Sequence, residues 1–148
     1  MIFYSFNNNF ILLVIACMLI NIPSHALADK DNTAIKDADY FINLAQECLD
    51  SGKYEEAVDT YKQAIKVNPD DAVAYNKLGI AYRSAGKMQE SLEALKQAIK
   101  IKSDYAEAHY ELGLTYRSSF KNQEALDSYI KAVRINPEFT KAYYSLAH

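Results

Sequence analysis

The chain has 148 residues and a net charge of −3; half of its residues are apolar and 24% are charged. This length admits one modest domain, and the mildly acidic balance lacks the basic footprint of a nucleic-acid binder, so no nucleic-acid partner is expected. Four glycines and three prolines are too few for a turn-rich all-β fold and favour helices with short connections.

Residues 1–28 contain no Lys, Arg, Asp or Glu. Phe10 to Ile22 read FILLVIACMLINI, followed by Pro23, Ser24 and then Ala26-Leu27-Ala28 ahead of Asp29. A short apolar run, a helix breaker and a small-x-small triplet form the pattern of a secretory signal peptide cut after Ala28. Export to a periplasm or secretion is therefore expected. A membrane anchor is one alternative, but thirteen helical residues rise about 20 Å against a bilayer core of about 30 Å. The aromatics upstream would lengthen the run, yet Asn7, Asn8 and Asn9 interrupt it. A lipoprotein is the other, since Val14-Ile15-Ala16-Cys17 resembles a lipobox, although the apolar run continues past Cys17. The absence of Lys and Arg before the run departs from all three patterns. Once the leader is removed Cys48 is alone, and it reads as a small buried hydrophobe. Residues 29–37, DKDNTAIKD, read as a polar spacer or the frayed start of a first helix.

The rest of the chain repeats. Residues 72–105 and 106–139 align without gaps over 34 positions with 13 identities, and 38–71 falls into the same register. Each unit predicts two helices. In the first, apolar residues recur at i, i+3, i+4 and i+7: Phe41, Leu44, Ala45, Cys48; Tyr75, Leu78, Gly79, Tyr82; with His109, Leu112, Gly113, Tyr116 in the third unit. The second helices carry Ala57, Tyr61, Ala64, Ile65; Leu92, Leu95, Ala98, Ile99; and Ala125, Tyr129, Ala132, Val133. Small residues at Ala45, Gly79, Gly113 and at Ala57, Ser91, Ala125 predict close approach of the paired helices. Gly52 and Gly86 predict the ends of first helices, and Asn68-Pro69 and Asn136-Pro137 the ends of second helices.

This pattern resembles the tetratricopeptide repeat family over residues 38–139, as three repeats: 38–71, 72–105 and 106–139. The resemblance implies an all-α fold, a right-handed superhelical solenoid of helix-turn-helix repeats. Residues 140–148, TKAYYSLAH, begin a fourth repeat or a capping helix, with Tyr143 and Leu146 in the aromatic and leucine slots. This segment is short and aromatic-rich for a polar cap. The expected result is exposed apolar surface there, a longer natural array, or a partner covering it. Three departures carry expectations. Phe41, Tyr75 and His109 replace the usual Trp, with His109 as a packed residue rather than a ligand. Phe120 stands in the slot of Gly52 and Gly86. A positive φ there would cost about 1 kcal/mol, so a rearranged or looser turn is expected over residues 118–122. Ser103 replaces the proline of the other two joints, so a less sharp joint is expected between the second and third repeats.

The resemblance also implies that the first helices line an inner groove through positions 2, 5, 6, 9, 12 and 13 of each repeat. From this set Asn76, Lys77, Ile80, Arg83, Tyr110, Glu111, Leu114 and Arg117 are the candidate partner-binding residues. Arg83 and Arg117 recur at one slot, and read either as paired anchors for acidic groups or carbonyls or as local ion pairs on a solvated face. The family's chaperone-tail carboxylate clamp is absent, because Ile42, Gln46, Lys77, Glu107 and Glu111 hold its positions. The asparagine ladder of its sugar-transferase members is absent too, position 6 reading Asn43, Lys77, Glu111. No Cys/His zinc spacing, phosphate loop or nucleophile elbow occurs, so no catalytic residue, cofactor or metal is expected. The expectation is a non-catalytic scaffold for a protein or peptide. The alternatives are a self-assembling homo-oligomer and a non-catalytic subunit of an enzyme complex; membrane association would run through the leader.

Overall fold

The computed structural model describes residues 37–147; the expected leader, the spacer up to residue 36 and His148 lie outside the described residues. The described residues form seven helices and no strands: α1 (Ala38–Asp50), α2 (Tyr54–Val67), α3 (Ala72–Ser84), α4 (Met88–Ile101), α5 (Ala106–Ser118), α6 (Asn122–Ile135) and α7 (Thr140–Leu146). Equivalent helices start 34 residues apart. Each packs on the next in sequence, and α3 also touches α5, which makes an all-α helix-turn-helix solenoid. Two of the first helices begin on a side-chain cap. Asp37 accepts from the Tyr40 amide at 2.8 Å, and Asp71 accepts from Val73 and Ala74 at 2.8 and 3.0 Å.

Small residues set the spacing within each pair. A Cβ on Gly79 would lie 2.5 Å from Leu95 Cγ; one on Gly113 would lie 2.5 Å from the Tyr129 ring and 3.1 Å from the Ala125 carbonyl. Ala45 and Ala57 are fully buried between α1 and α2, packed with Val58, Tyr61 and Leu78. Cys48 lies partly buried against the same cluster, as a small hydrophobe would. Leu92, Leu95 and Leu112 form a second cluster joining α4 to α5, with Tyr116 against it. A fully buried leucine such as Leu95 contributes about 1.5–3 kcal/mol. Within the second pair the Ser91 hydroxyl donates to the Gly79 carbonyl at 2.8 Å; it also lies 3.1 Å from the hydroxyl of Thr115 on α5, which donates to the Glu111 carbonyl at 2.9 Å.

The turn after each first helix is a Schellman motif. In the first, the Gly52 amide donates to Leu49 and the Lys53 amide to Cys48; in the second, Gly86 donates to Arg83 and Lys87 to Tyr82. The expectation of a rearranged turn at Phe120 is corrected. Phe120 donates to Arg117 and Lys121 to Tyr116 at the same distances, and Phe120 takes φ 58°, beside 75° at Gly52 and 78° at Gly86. Two backbone bonds and the seating of α6 outweigh the left-handed strain. The ring gains nothing in return, being 91% exposed.

The joint at Ser103 is a second correction. The cap before it, Lys102, has φ −131° and ψ 96°, against −129° and 93° at Asn68 and −127° and 95° at Asn136. Proline is not required for that corner. At this joint alone a histidine reaches it: His109 Nε2 lies 3.2 Å from the Ser103 carbonyl. A carbonyl can only accept, so Nε2 carries the proton, and the buried Nδ1 has no partner. Burial of the imidazole, opposed by the Ser103 bond and aided by Lys131, holds its pKa below the usual value.

Two measurements follow from these features. Replacing Phe120 by Gly relieves the left-handed strain, less the added freedom of the unfolded chain. A net gain of about 0.5–1 kcal/mol, or a few degrees in Tm, is expected; a lower Tm would refute it. For His109 the unfolded imidazole takes a proton near pH 6.5 and the folded one resists it. Its contribution is therefore present above about pH 6.5 and lost as pH falls through the depressed folded value. His109→Tyr, which copies Tyr75 in the preceding repeat, should flatten the fall of Tm between pH 7.5 and 5.5. An identical slope in both proteins would contradict the assignment.

Candidate functional site

The first helices α1, α3 and α5 lie side by side, and two polar bridges cross between them. At the first junction Gln46 is the hub. Its Oε1 accepts from Lys77 Nζ at 3.0 Å and from the Tyr61 hydroxyl at 3.3 Å, and its Nε2 donates to Asp50 at 2.8 Å. Tyr61 is fully buried, and burial, with the nearby Asp50 and Cys48, pushes its phenol up to about 12. It therefore remains a donor at any physiological pH.

At the second junction Arg83 donates to Glu111 Oε2 at 2.6 Å, with side chains 25% and 17% exposed. A charge-assisted bond this sheltered is worth about 1.5–3 kcal/mol. Arg83 is thus held by its neighbour, and its Nε is buried without a partner. Of the two readings of the arginine pair, Arg83 follows the ion pair. Arg117 differs: it is exposed, makes no ion pair among the described residues, and borders a cavity of about 280 Å³ between α5, α6 and α7.

Lys77, Ile80, Tyr110 and Leu114 are half-buried. Tyr110 packs its ring 5.7 Å from that of Tyr129 and 5.1 Å from that of Phe139, which ties α5 to α6 and to the joint beyond. The expectation for Asn76 is corrected. It is only 4% exposed and lies against the Tyr105 phenol, so it is packing and not open groove. Tyr105, at the joint ahead of α5, engages it from the following repeat. Tyr61 and Tyr129 were not among the sequence candidates, while Gln46 fell in the groove-lining set, at position 9 of the first repeat, without being singled out as a binding residue. A signal existed for the tyrosines, which share one slot on an otherwise apolar stripe, since a buried hydroxyl demands a partner.

Among the described residues no group of three or more His, Cys, Asp or Glu side chains is placed to hold a metal, and no helix is long and apolar enough to cross a membrane.

The comparisons agree with this geometry. A family model described as TPR repeat matches residues 45–83 and 81–119, and one described as tetratricopeptide repeat matches 106–139. No curated protein matches the chain in sequence. Among solved structures, MamA is 30% identical with a TM-score of 0.70, the match covering 80% of this chain and 70% of that one. The first TPR domain of Spaghetti (RPAP3), bound to the HSP90 peptide SRMEEVD, is 21% identical with a TM-score of 0.72, covering 76% and 89%. YrrB, a TPR protein with an unusual peptide-binding site, is 22% identical with a TM-score of 0.72, covering 78% and 59%. With repeat models spanning residues 45–139 and helices recurring at the interval those repeats require, the chain belongs to the tetratricopeptide repeat family.

Proposed function

We propose that the protein is an exported, non-catalytic scaffold that binds an extended segment or helix of a partner protein along the face where α1, α3 and α5 adjoin. The observation that carries this reading is the lining of that face. Half-buried Ile80 and Leu114 alternate with bridged polar groups, Lys77 with Gln46 and Arg83 with Glu111. Apolar surface supplies contact area, while polar groups already fixed by their neighbours lose little freedom on binding. Peptide binding by the RPAP3 domain and by YrrB supports the same use of the fold by analogy. Export rests on the apolar run and the Ala26-Leu27-Ala28 triplet.

Self-association is a second reading, favoured by the exposure of Leu126, Ile130, Tyr143 and Tyr144 on α6 and α7.

Two experiments test the proposal. A photo-reactive residue placed at position 80 or 114 should crosslink a partner in the native cell, and one at exposed Asp127 should not. Equal capture from both faces would defeat the groove. N-terminal sequencing of the mature protein should begin at Asp29, and an intact Met1 would remove the cleaved signal.

A further inference from the structure

Phe120 sits at φ 58° with its ring exposed, so the strain it carries has no return within its own copy. The exposure belongs to the slot. A Cβ on Gly52 or on Gly86, each with a whole repeat after it, would meet nothing within 4 Å. The lysine that follows is also set apart. Lys53 and Lys87, at the same slot, pair with Glu56 at 3.3 Å and Glu55 at 2.6 Å. Lys121 makes no ion pair among the described residues, and Gln89 stands where Glu55 does for Lys87. The turn between α5 and α6 thus offers an exposed aromatic ring beside an uncompensated cation. Its counterpart lies in the second repeat, where a cleft of about 230 Å³ opens between α3 and α4. Buried Leu78 and Ala94 form its floor, half-buried Tyr75 and Tyr82 its walls, and exposed Glu90 and Glu93 border it. Neither glutamate makes an ion pair among the described residues. Glu93 accepts from Gln89 at 3.3 Å, and Glu90 lies near Lys87, which is already bound to Glu55. Lys62 lies 5.6 Å over the Tyr82 ring but pairs with Asp59. The other repeats lack this lining: Cys48 takes the slot of Tyr82 in the first, and His109 that of Tyr75 in the third.

We infer that Phe120 of one copy seats in the α3–α4 cleft of a second copy, with Lys121 set against Glu90 and Glu93. The fit is one of size, surface and charge. A cavity of about 150 Å³ is enough for benzene, so the cleft admits a phenyl ring. Two tyrosine rings, a leucine and an alanine give that ring apolar and aromatic contact, and the lysine meets carboxylates that have no cation of their own. An apolar knob matched to a pocket elsewhere on the same molecule joins copies to one another. A membrane is a poorer match for the same knob. The first turns of α2, α4 and α6 carry Glu55, Glu56, Glu90 and Glu124, which repel an anionic lipid surface. The inference goes beyond the groove reading and uses none of its candidate residues. It also places self-association on a surface other than the apolar residues of α6 and α7.

The test is sedimentation velocity of the full mature chain over a rising concentration series, at low and at physiological salt. Wild type should associate, more strongly at low salt. Phe120→Gly should weaken association about tenfold or more while its Tm stays equal or rises, so the loss is not one of folding. Lys121→Glu and Glu93→Lys should each weaken it a few-fold. The chain carrying both reversals should recover, because the new carboxylate of one copy meets the new ammonium of the next. Mixing the Phe120→Gly protein, which keeps the cleft, with the Glu93→Lys protein, which keeps the knob, should not exceed the association of Glu93→Lys alone when the Glu93→Lys cleft is the one left to fill. Mixing Phe120→Gly with a chain that has both an intact knob and an intact cleft should give joint species. A wild-type chain that stays monomeric throughout the series overturns the inference. So does association that Phe120→Gly leaves unchanged and Ile130→Asp abolishes, which would assign the contact to the α6–α7 face. Failure of the double reversal to recover overturns the pairing of Lys121 with the cleft. Binding of a monomeric protein to anionic vesicles that is lost in Phe120→Gly would overturn the second copy as occupant.

Discussion

The contact on which the array depends is the meeting of a residue without a side chain and a large one on the facing helix. Gly79 admits Leu95, and Gly113 admits Tyr129, at distances that no Cβ could share. This sets how near the two helices of a repeat lie, and so how their neighbours stack. Filling such a site overpacks it at a cost of about 1–3 kcal/mol. The first pair uses the same device in milder form, with Ala45 against the face that carries Ala57 and Tyr61. The close approach also brings backbone within reach of side chains, as when Ser91 bonds the Gly79 carbonyl in the dry interior.

Once the spacing is set, the turns have little latitude. The short link between α5 and α6 closes with the same two hydrogen bonds as its counterparts even though phenylalanine must take a glycine conformation. The corner at Ser103 keeps the dihedral angles of the proline corners. In both places the packing of whole helices, many kcal/mol in sum, overrules a local preference worth about one.

That ordering explains what the sequence revealed. The periodic stripes, the small-residue slots and the buried role of His109 were legible, because each slot recurs in all three repeats and reflects the helix packing that governs the fold. The two turn expectations failed because they weighed a local propensity without the tertiary packing that competes with it. Asn76 failed for a different reason. Asn76 is closed off by a contact from outside its own helix, with Tyr105 of the joint ahead of α5. The polar bridges were illegible from single positions. Arg83 with Glu111 and Lys77 with Gln46 join residues 28 and 31 apart, at slots whose partners change from one junction to the next.

Those changing partners bear on how such a chain can lengthen or shorten. Excising the central unit, residues 72–105, would preserve every apolar slot and leave the stack geometrically sound. It would also set Leu49 and Gln46 beside Glu111, giving a sheltered carboxylate no cation to face. Duplicating that unit would place Lys77 of the added copy opposite Arg83 of the first, like charge against like. The modules look interchangeable in outline, but each accepts one neighbour on each side, and this order is written in a handful of charged side chains rather than in the hydrophobic repeat.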